Sequence, residues 1–134
     1  MWIGGAHSDH GEEVAAERLT AAWVLDLAGD MPAAFRTLAA RWQSFVFADV
    51  ESVPPRFERL QAIVREFARA LQSPGPPADV FVMCQYGYNR SGLAAGLLLR
   101  ELGLGPHEAL ALVRERRPGA LANATFSDLI LGPA

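Results

Sequence analysis

The sequence is poor in the features that define several protein classes. Its 134 residues include one cysteine, Cys84, so neither an internal disulfide nor a zinc site with several cysteines can form. All 12 basic residues are arginines and none is lysine; with 15 acidic residues the net charge is −3. Because the chain also has no basic stripe, nucleic acid is not expected as its main partner.

Long hydrophobic runs are also missing. The longest apolar stretch, Gly92–Leu99, is far shorter than the roughly 20 residues that span a bilayer. The first ten residues contain no basic start followed by an apolar run, which is the pattern of a secretory signal. We therefore expect a cytoplasmic protein that has no membrane partner.

The length and composition predict one domain over residues 1–134. A chain of this size, 51% hydrophobic, can bury a single core. We expect it to be a monomer.

Apolar periodicity predicts alternating strands and helices. Helices are expected at Gly11–Thr20, Ala33–Trp42, Phe57–Leu71 and Ser91–Leu102, then from Pro106, and finally after a cap at Asn123 or Thr125. Strands are expected at Trp2–Gly5, Trp23–Leu27, Ser44–Ala48 and Val80–Met83. The last of these is apolar throughout, which is typical of a strand buried on both faces of a parallel sheet. The fold class is therefore α/β, with a central, mostly parallel twisted sheet of about four to five strands flanked by helices.

The loop between the buried strand and the buried helix carries the most specific chemistry. Its residues are Cys84, Gln85, Tyr86, Gly87, Tyr88, Asn89, Arg90 and Ser91. A tight loop that enters a helix turns backbone N–H groups inward at the positive end of the helix dipole, so residues 85–90 can cradle a phosphate. Arg90 can offer two N–H groups to phosphate oxygens. The same charges favour a Cys84 thiolate, and Ser91 can donate its hydroxyl to that sulfur.

This loop resembles the signature of the cysteine-dependent protein tyrosine phosphatase superfamily, in particular the small atypical dual-specificity phosphatases. The resembling pattern is Cys-x5-Arg-Ser with Gly87 at the third position after Cys84, between a Val-rich strand and an apolar helix. Trp2–Gly5, Val24–Leu27 and the final helix also look like their counterparts in the family. The resemblance implies a phosphatase-like fold and hydrolysis of phosphomonoesters through a phosphocysteine intermediate.

The family also uses an aspartate as general acid, some thirty to forty residues before the cysteine. Asp49 lies thirty-five residues before Cys84, after a predicted strand. We assign the acid to Asp49, with Glu51 as the alternative. The resemblance thus implies that Cys84 attacks phosphorus, that Arg90 and the loop amides hold the developing charge, and that Asp49 protonates the leaving oxygen.

One departure from the family lies beside the nucleophile. Family members usually carry histidine immediately before the cysteine, where this chain has Met83. Weaker thiolate activation is one consequence, and a non-catalytic module that binds phosphorylated residues is the alternative to an enzyme.

The other loop residues bear on the substrate. Gln85, Tyr86, Tyr88 and Asn89 carry no charge, so one phosphomonoester suits the loop better than a ligand with several phosphates. A protein with phosphorylated Tyr, Ser or Thr is the expected substrate; an RNA or small-molecule phosphatase is a further alternative. No cofactor is expected. The cluster of His7, Asp9 and His10 is interpreted as a solvated loop, so no metal is expected either.

Overall fold

In the part of the chain that the structure describes, four strands form one parallel sheet. The computed structural model describes residues 2–5, 22–29, 36–73, 79–84 and 88–132. The strands are β1 (Trp2–Gly5), β2 (Trp23–Asp26), β3 (Arg41–Ser44) and β4 (Val80–Cys84). They lie in the order β1-β4-β2-β3, and every neighbouring pair is parallel. The predicted α/β class is confirmed, with the strand number at the lower end of the expected four to five.

Strand β4 lies between β1 and β2 because its side chains are apolar on both faces. All five of its residues are buried. Cys84 pairs in register with Gly5 on one side, and Met83 pairs with Asp26 on the other. The strands of a parallel sheet all end at the same edge, where ligands of open α/β sheets bind. Cys84 is the last residue of β4 and therefore lies at that edge.

Four helices follow in the predicted order among the described residues from Phe57 onward. They are α1 (Phe57–Gln72), α2 (Arg90–Glu101), α3 (Pro106–Arg116) and α4 (Ala124–Leu131). All four contribute to the larger apolar cluster, which covers the sheet face that includes Leu25 and Val82. A smaller cluster on the opposite face contains Val24 and Phe81. The predicted helix at Gly11–Thr20 lies outside the described residues.

The third strand differs from its prediction. The expected helix over Ala33–Trp42 reaches only Arg36 among the described residues, and β3 pairs with β2 at Arg41–Ser44, before the predicted Ser44–Ala48. The apolar alternation of Phe45–Phe47 is real, since both phenylalanines are buried and Val46 is exposed. Phe45 still donates its N–H to the backbone oxygen of Asp26 at 2.9 Å, but residues 45–47 are not part of β3. The side-chain alternation therefore placed the strand too far along the chain.

Arg41 joins β3 to α1. Its guanidinium lies 4.8 Å from the ring centre of Trp23 and 5.4 Å from that of Phe67, within the range of cation–π attraction. It also forms an ion pair with Glu66, at 2.6 Å between Nη1 and Oε1. The hydrogen bond from Arg41 keeps the pKa of Glu66 below its ordinary value.

Helix α2 is buried on nearly all sides. Every residue from Ser91 to Leu99 is buried, so the helix lies between β4 and its neighbouring helices. Two glycines allow this close approach. A Cβ atom at Gly92 would lie 2.9 Å from Cγ of Leu121, and one at Gly96 would overlap the side chain of Ile130. Helix α4 and the segment before it therefore pack directly on the backbone of α2.

Among the described residues, none of the helices combines the length and the apolar character that crossing a membrane requires.

We predict that Gly96→Ala lowers the free energy of unfolding by up to about 2 kcal/mol. This is the usual cost of an overfilled core, about 1–3 kcal/mol, less the roughly 1 kcal/mol that alanine gains over glycine inside a helix. Urea unfolding measures the change. Gly105→Ser is the control, because a Cβ there makes only ordinary contact with Glu108 at 3.5 Å and serine is a favoured residue at the N-cap of α3. Equal stability of the two variants would contradict close packing of α2 on α4.

Candidate active site

Cys84 and Met83 face opposite sides of the sheet. Cys84 is 3% exposed and belongs to the larger apolar cluster, whereas Met83 is fully buried in the smaller one. This follows from the alternation of side chains along a strand. Met83 therefore packs with Val24 and Phe81, on the face away from the thiol.

The end of the predicted phosphate loop is anchored to the segment between α3 and α4. Gln85, Tyr86 and Gly87 lie outside the described residues. The half-buried Tyr88 accepts a hydrogen bond at its backbone oxygen from the N–H of Leu121, at 3.4 Å. The Arg117 guanidinium lies 4.7 Å from the centre of the Tyr88 ring. The loop therefore enters α2 from a fixed position.

Arg90 is the first residue of α2 and is half-buried. One of its N–H groups donates to the backbone oxygen of Phe47 at 3.3 Å. A guanidinium has five N–H donors, and no carboxylate among the described residues lies within ion-pair distance of Arg90. A cation at a helix N-terminus is unfavourable unless an anion binds there, so this position suits an anionic ligand. Ser91 follows Arg90 and is fully buried in the first turn of α2.

Asp49 lies in the connection between β3 and α1, and its carboxylate is held by two side-chain amides. Oδ2 accepts a hydrogen bond from Nδ2 of Asn89 at 2.9 Å, and Oδ1 accepts one from Nδ2 of Asn123 at 3.2 Å. The alternative acid, Glu51, is exposed and accepts no hydrogen bond from the described residues. Asp49 thus contacts Asn89, the residue that precedes Arg90, and Glu51 does not.

The segment that carries Asp49 is also fixed by its apolar neighbour. Phe47 is buried, and its ring meets the ring of Phe126 edge to face, with 5.8 Å between the ring centres. Because the backbone oxygen of Phe47 also accepts from Arg90, this residue joins the segment both to α4 and to the start of α2.

Asn123 has a second role that the sequence did not predict. Its expected role as the cap of α4 is confirmed, since Oδ1 accepts from the N–H of Phe126 at 3.2 Å. Nδ2 donates to the backbone oxygen of Val50 at 2.9 Å as well as to Asp49. A capping asparagine uses only its oxygen, so a buried one must place its NH2 group elsewhere. This requirement indicates that the Asn123 amide has a partner, but the sequence could not show that the partner is Asp49, which lies 74 residues away.

His7, Asp9 and His10, the cluster interpreted from the sequence as a solvated loop, lie outside the described residues.

Comparisons with known proteins identify the fold. No protein-family model and no curated protein sequence matches the chain. Among solved structures, Tk-PTP in its active form has a TM-score of 0.66 and 25% identity, covering 86% of this chain and 78% of that chain. Human DUSP28 has a TM-score of 0.66 and 18% identity, covering 96% and 87%. A human tyrosine phosphatase-like serine/threonine/tyrosine-interacting protein has a TM-score of 0.63 and 24% identity, covering 84% and 74%.

The chain therefore has the fold of the protein tyrosine and dual-specificity phosphatases. The resemblance drawn from its cysteine loop is confirmed at the level of this fold.

We predict that two substitutions of Asn123 separate its two roles. Asn123→Ala removes the cap and should lower the free energy of unfolding by about 0.5–2 kcal/mol. Asn123→Ser keeps a capping hydroxyl but loses the amide that donates to Asp49 and Val50, so relative to Asn123→Ala it should regain the contribution of the cap. Urea unfolding measures the stability. Hydrogen exchange over residues 46–53 should be faster in both variants, and exchange at the wild-type rate in Asn123→Ser would contradict the second role.

Proposed function

We propose that the chain is a cysteine-dependent phosphatase that hydrolyses phosphomonoesters through a phosphocysteine intermediate. The observation that carries the proposal is the contact between Asp49 and Asn89, which brings the candidate acid to the end of the phosphate loop. Cys84 begins that loop at the carboxyl edge of the sheet, and Arg90 ends it at the N-terminus of α2. In this proposal the nucleophile and the cation lie at the two ends of the loop, and the acid contacts Asn89 at its second end.

The first step transfers the phosphoryl group to the protein. The Cys84 thiolate attacks phosphorus, so an S–P bond forms while the P–O bond to the leaving group breaks. Asp49 gives its proton to the leaving oxygen. A carboxyl group has about four lone-pair positions, of which the amides of Asn89 and Asn123 use two, so the remaining positions can carry this proton.

The second step releases phosphate. Asp49, now a carboxylate, accepts a proton from a water molecule whose oxygen attacks phosphorus, and the S–P bond breaks to regenerate the thiolate. In both steps Arg90 and the amides of residues 85–90 stabilise negative charge on the phosphoryl oxygens. Ser91 donates its hydroxyl to the Cys84 sulfur when this leaves as a thiolate.

The proposed substrates are proteins phosphorylated on tyrosine, serine or threonine. One reason for proposing this class of substrate is that the chain has the same fold as Tk-PTP and human DUSP28. The four uncharged side chains of the loop, at Gln85, Tyr86, Tyr88 and Asn89, suit a single phosphate group.

A non-catalytic module that binds phosphorylated residues is the second candidate function. Met83 favours it, because this apolar side chain offers no strong hydrogen-bond donor beside the nucleophile and packs on the opposite face of the sheet. One structure of the same fold is also described as phosphatase-like and as an interacting protein. Both candidates require phosphate to bind at residues 85–90, so turnover is what separates them.

We predict that Cys84→Ser abolishes hydrolysis of p-nitrophenyl phosphate, because a serine hydroxyl is a much weaker nucleophile than a thiolate. The measurement is steady-state hydrolysis with and without vanadate, which should inhibit the wild-type protein. Binding of phosphate without turnover by the wild type would select the binding module. Wild-type activity in Cys84→Ser would rule out the phosphocysteine mechanism.

For the acid, we predict that Asp49→Ala lowers kcat on phenyl phosphate by about 10²–10⁴-fold, the usual contribution of general acid catalysis. Glu51→Ala removes a carboxyl group two residues away and is the matched comparison. It should retain the wild-type rate, because Glu51 accepts no hydrogen bond from the described residues. The reverse ranking of these two variants would transfer the acid role to Glu51.

A further inference from the structure

Asn89 occupies the N-cap position of α2 without capping the helix. An asparagine in this position usually accepts a hydrogen bond from the second or third N–H group of its helix. The Asn89 side chain makes no such bond, and its backbone has helical angles, with φ −91° and ψ −54°. A capping residue would have extended angles. Its side-chain amide is thus available for contacts outside the helix.

Both ends of that amide contact other segments. Nδ2 donates to Oδ2 of Asp49 at 2.9 Å, across 40 residues of sequence. Oδ1 accepts from the backbone N–H of Asn123 at 3.1 Å, across 34 residues. Rotating the amide by half a turn would place its oxygen against the carboxylate and its NH2 against an N–H group, so only one orientation satisfies both partners.

We propose that Asn89 is a positioning residue that holds Asp49 beside the phosphate loop before substrate binds. The inference rests on the proposed function, in which Asp49 protonates the leaving oxygen. Asn89 immediately precedes Arg90, so its bond to Asp49 fixes the acid to the end of the loop that receives the phosphate. Fixing the donor in advance removes the entropy that would otherwise be lost when acid and leaving group align.

The effect of Asn89 depends on the leaving group. A p-nitrophenolate leaves readily without a proton, whereas a phenolate or a serine alkoxide is a stronger base and depends on proton transfer. A residue that acts through the acid therefore matters most for the more basic leaving group. A residue that shapes the phosphate cradle affects both kinds of substrate alike, because the phosphoryl group is the same.

The kinetic test compares wild type, Asn89→Ala and Asp49→Ala on p-nitrophenyl phosphate and on phenyl phosphate. For Asn89→Ala we expect kcat/KM, which reports the steps up to formation of the phosphocysteine and not its hydrolysis, to fall about 10–100-fold on phenyl phosphate and only about threefold on p-nitrophenyl phosphate. Adding Asn89→Ala to Asp49→Ala should cause no further loss, because the residue acts through the acid. Gln61→Ala, in α1, replaces an amide away from this edge and is the control.

Equal losses of kcat/KM on the two substrates, or additive losses in the double variant, would assign Asn89 to the phosphate cradle and overturn the inference alone. If Asp49→Ala retained the wild-type rate on phenyl phosphate, the acid assignment would fail, and the positioning role would fail with it. The pattern of the two single variants thus distinguishes failure of the inference from failure of the proposed function.

A second measurement does not require turnover. Amide hydrogen exchange over residues 46–53 should be faster in Asn89→Ala than in wild type, since a bond that restrains this segment is lost. Gln61→Ala should leave that exchange unchanged. Exchange at the wild-type rate in Asn89→Ala would overturn the positioning role even if the protein hydrolysed neither substrate.

Discussion

The placement of α2 directly behind β4 is the constraint on which the rest of the structure depends. The strand is hydrogen-bonded on both sides, and the helix is buried from Ser91 to Leu99, so neither can shift without disturbing the core. The connection between Cys84 and Arg90 therefore starts and ends at fixed points. The distance from Cys84 to Arg90 is thus determined by packing in the core, which includes the contact of Gly96 with Ile130.

Polar bonds add what this packing does not supply. The segment with Asp49 is not part of the hydrogen-bonded sheet, and it reaches the loop through the neutral amides of Asn89 and Asn123. Phe47 anchors the same segment in the core. Apolar contacts thus place the segment approximately, and the amides fix the direction of its carboxylate.

The features that could be predicted from the sequence are those with a local signal. The apolar run at Val80–Met83 and the apolar stripe of Phe57–Leu71 indicate burial directly, and both elements lie where they were predicted. The position of β3 was predicted wrongly because its pairing partner, and not its own alternation, decides where the ladder forms. The bonds of Asn89 and Asn123 had no local signal, because each joins residues that are more than 30 positions apart.

Arg41 also affects the association of the protein with other copies of itself. Strand β3 is the last strand on its side of the described sheet, and such edges invite pairing with strands of other chains. Without the Arg41 side chain, the rings of Trp23 and Phe67 would form an apolar surface beside this strand and would strengthen such pairing. The Arg41 guanidinium covers both rings and brings charge to the edge. Arg41 therefore both holds β3 to α1 and disfavours pairing of β3 with strands of other chains.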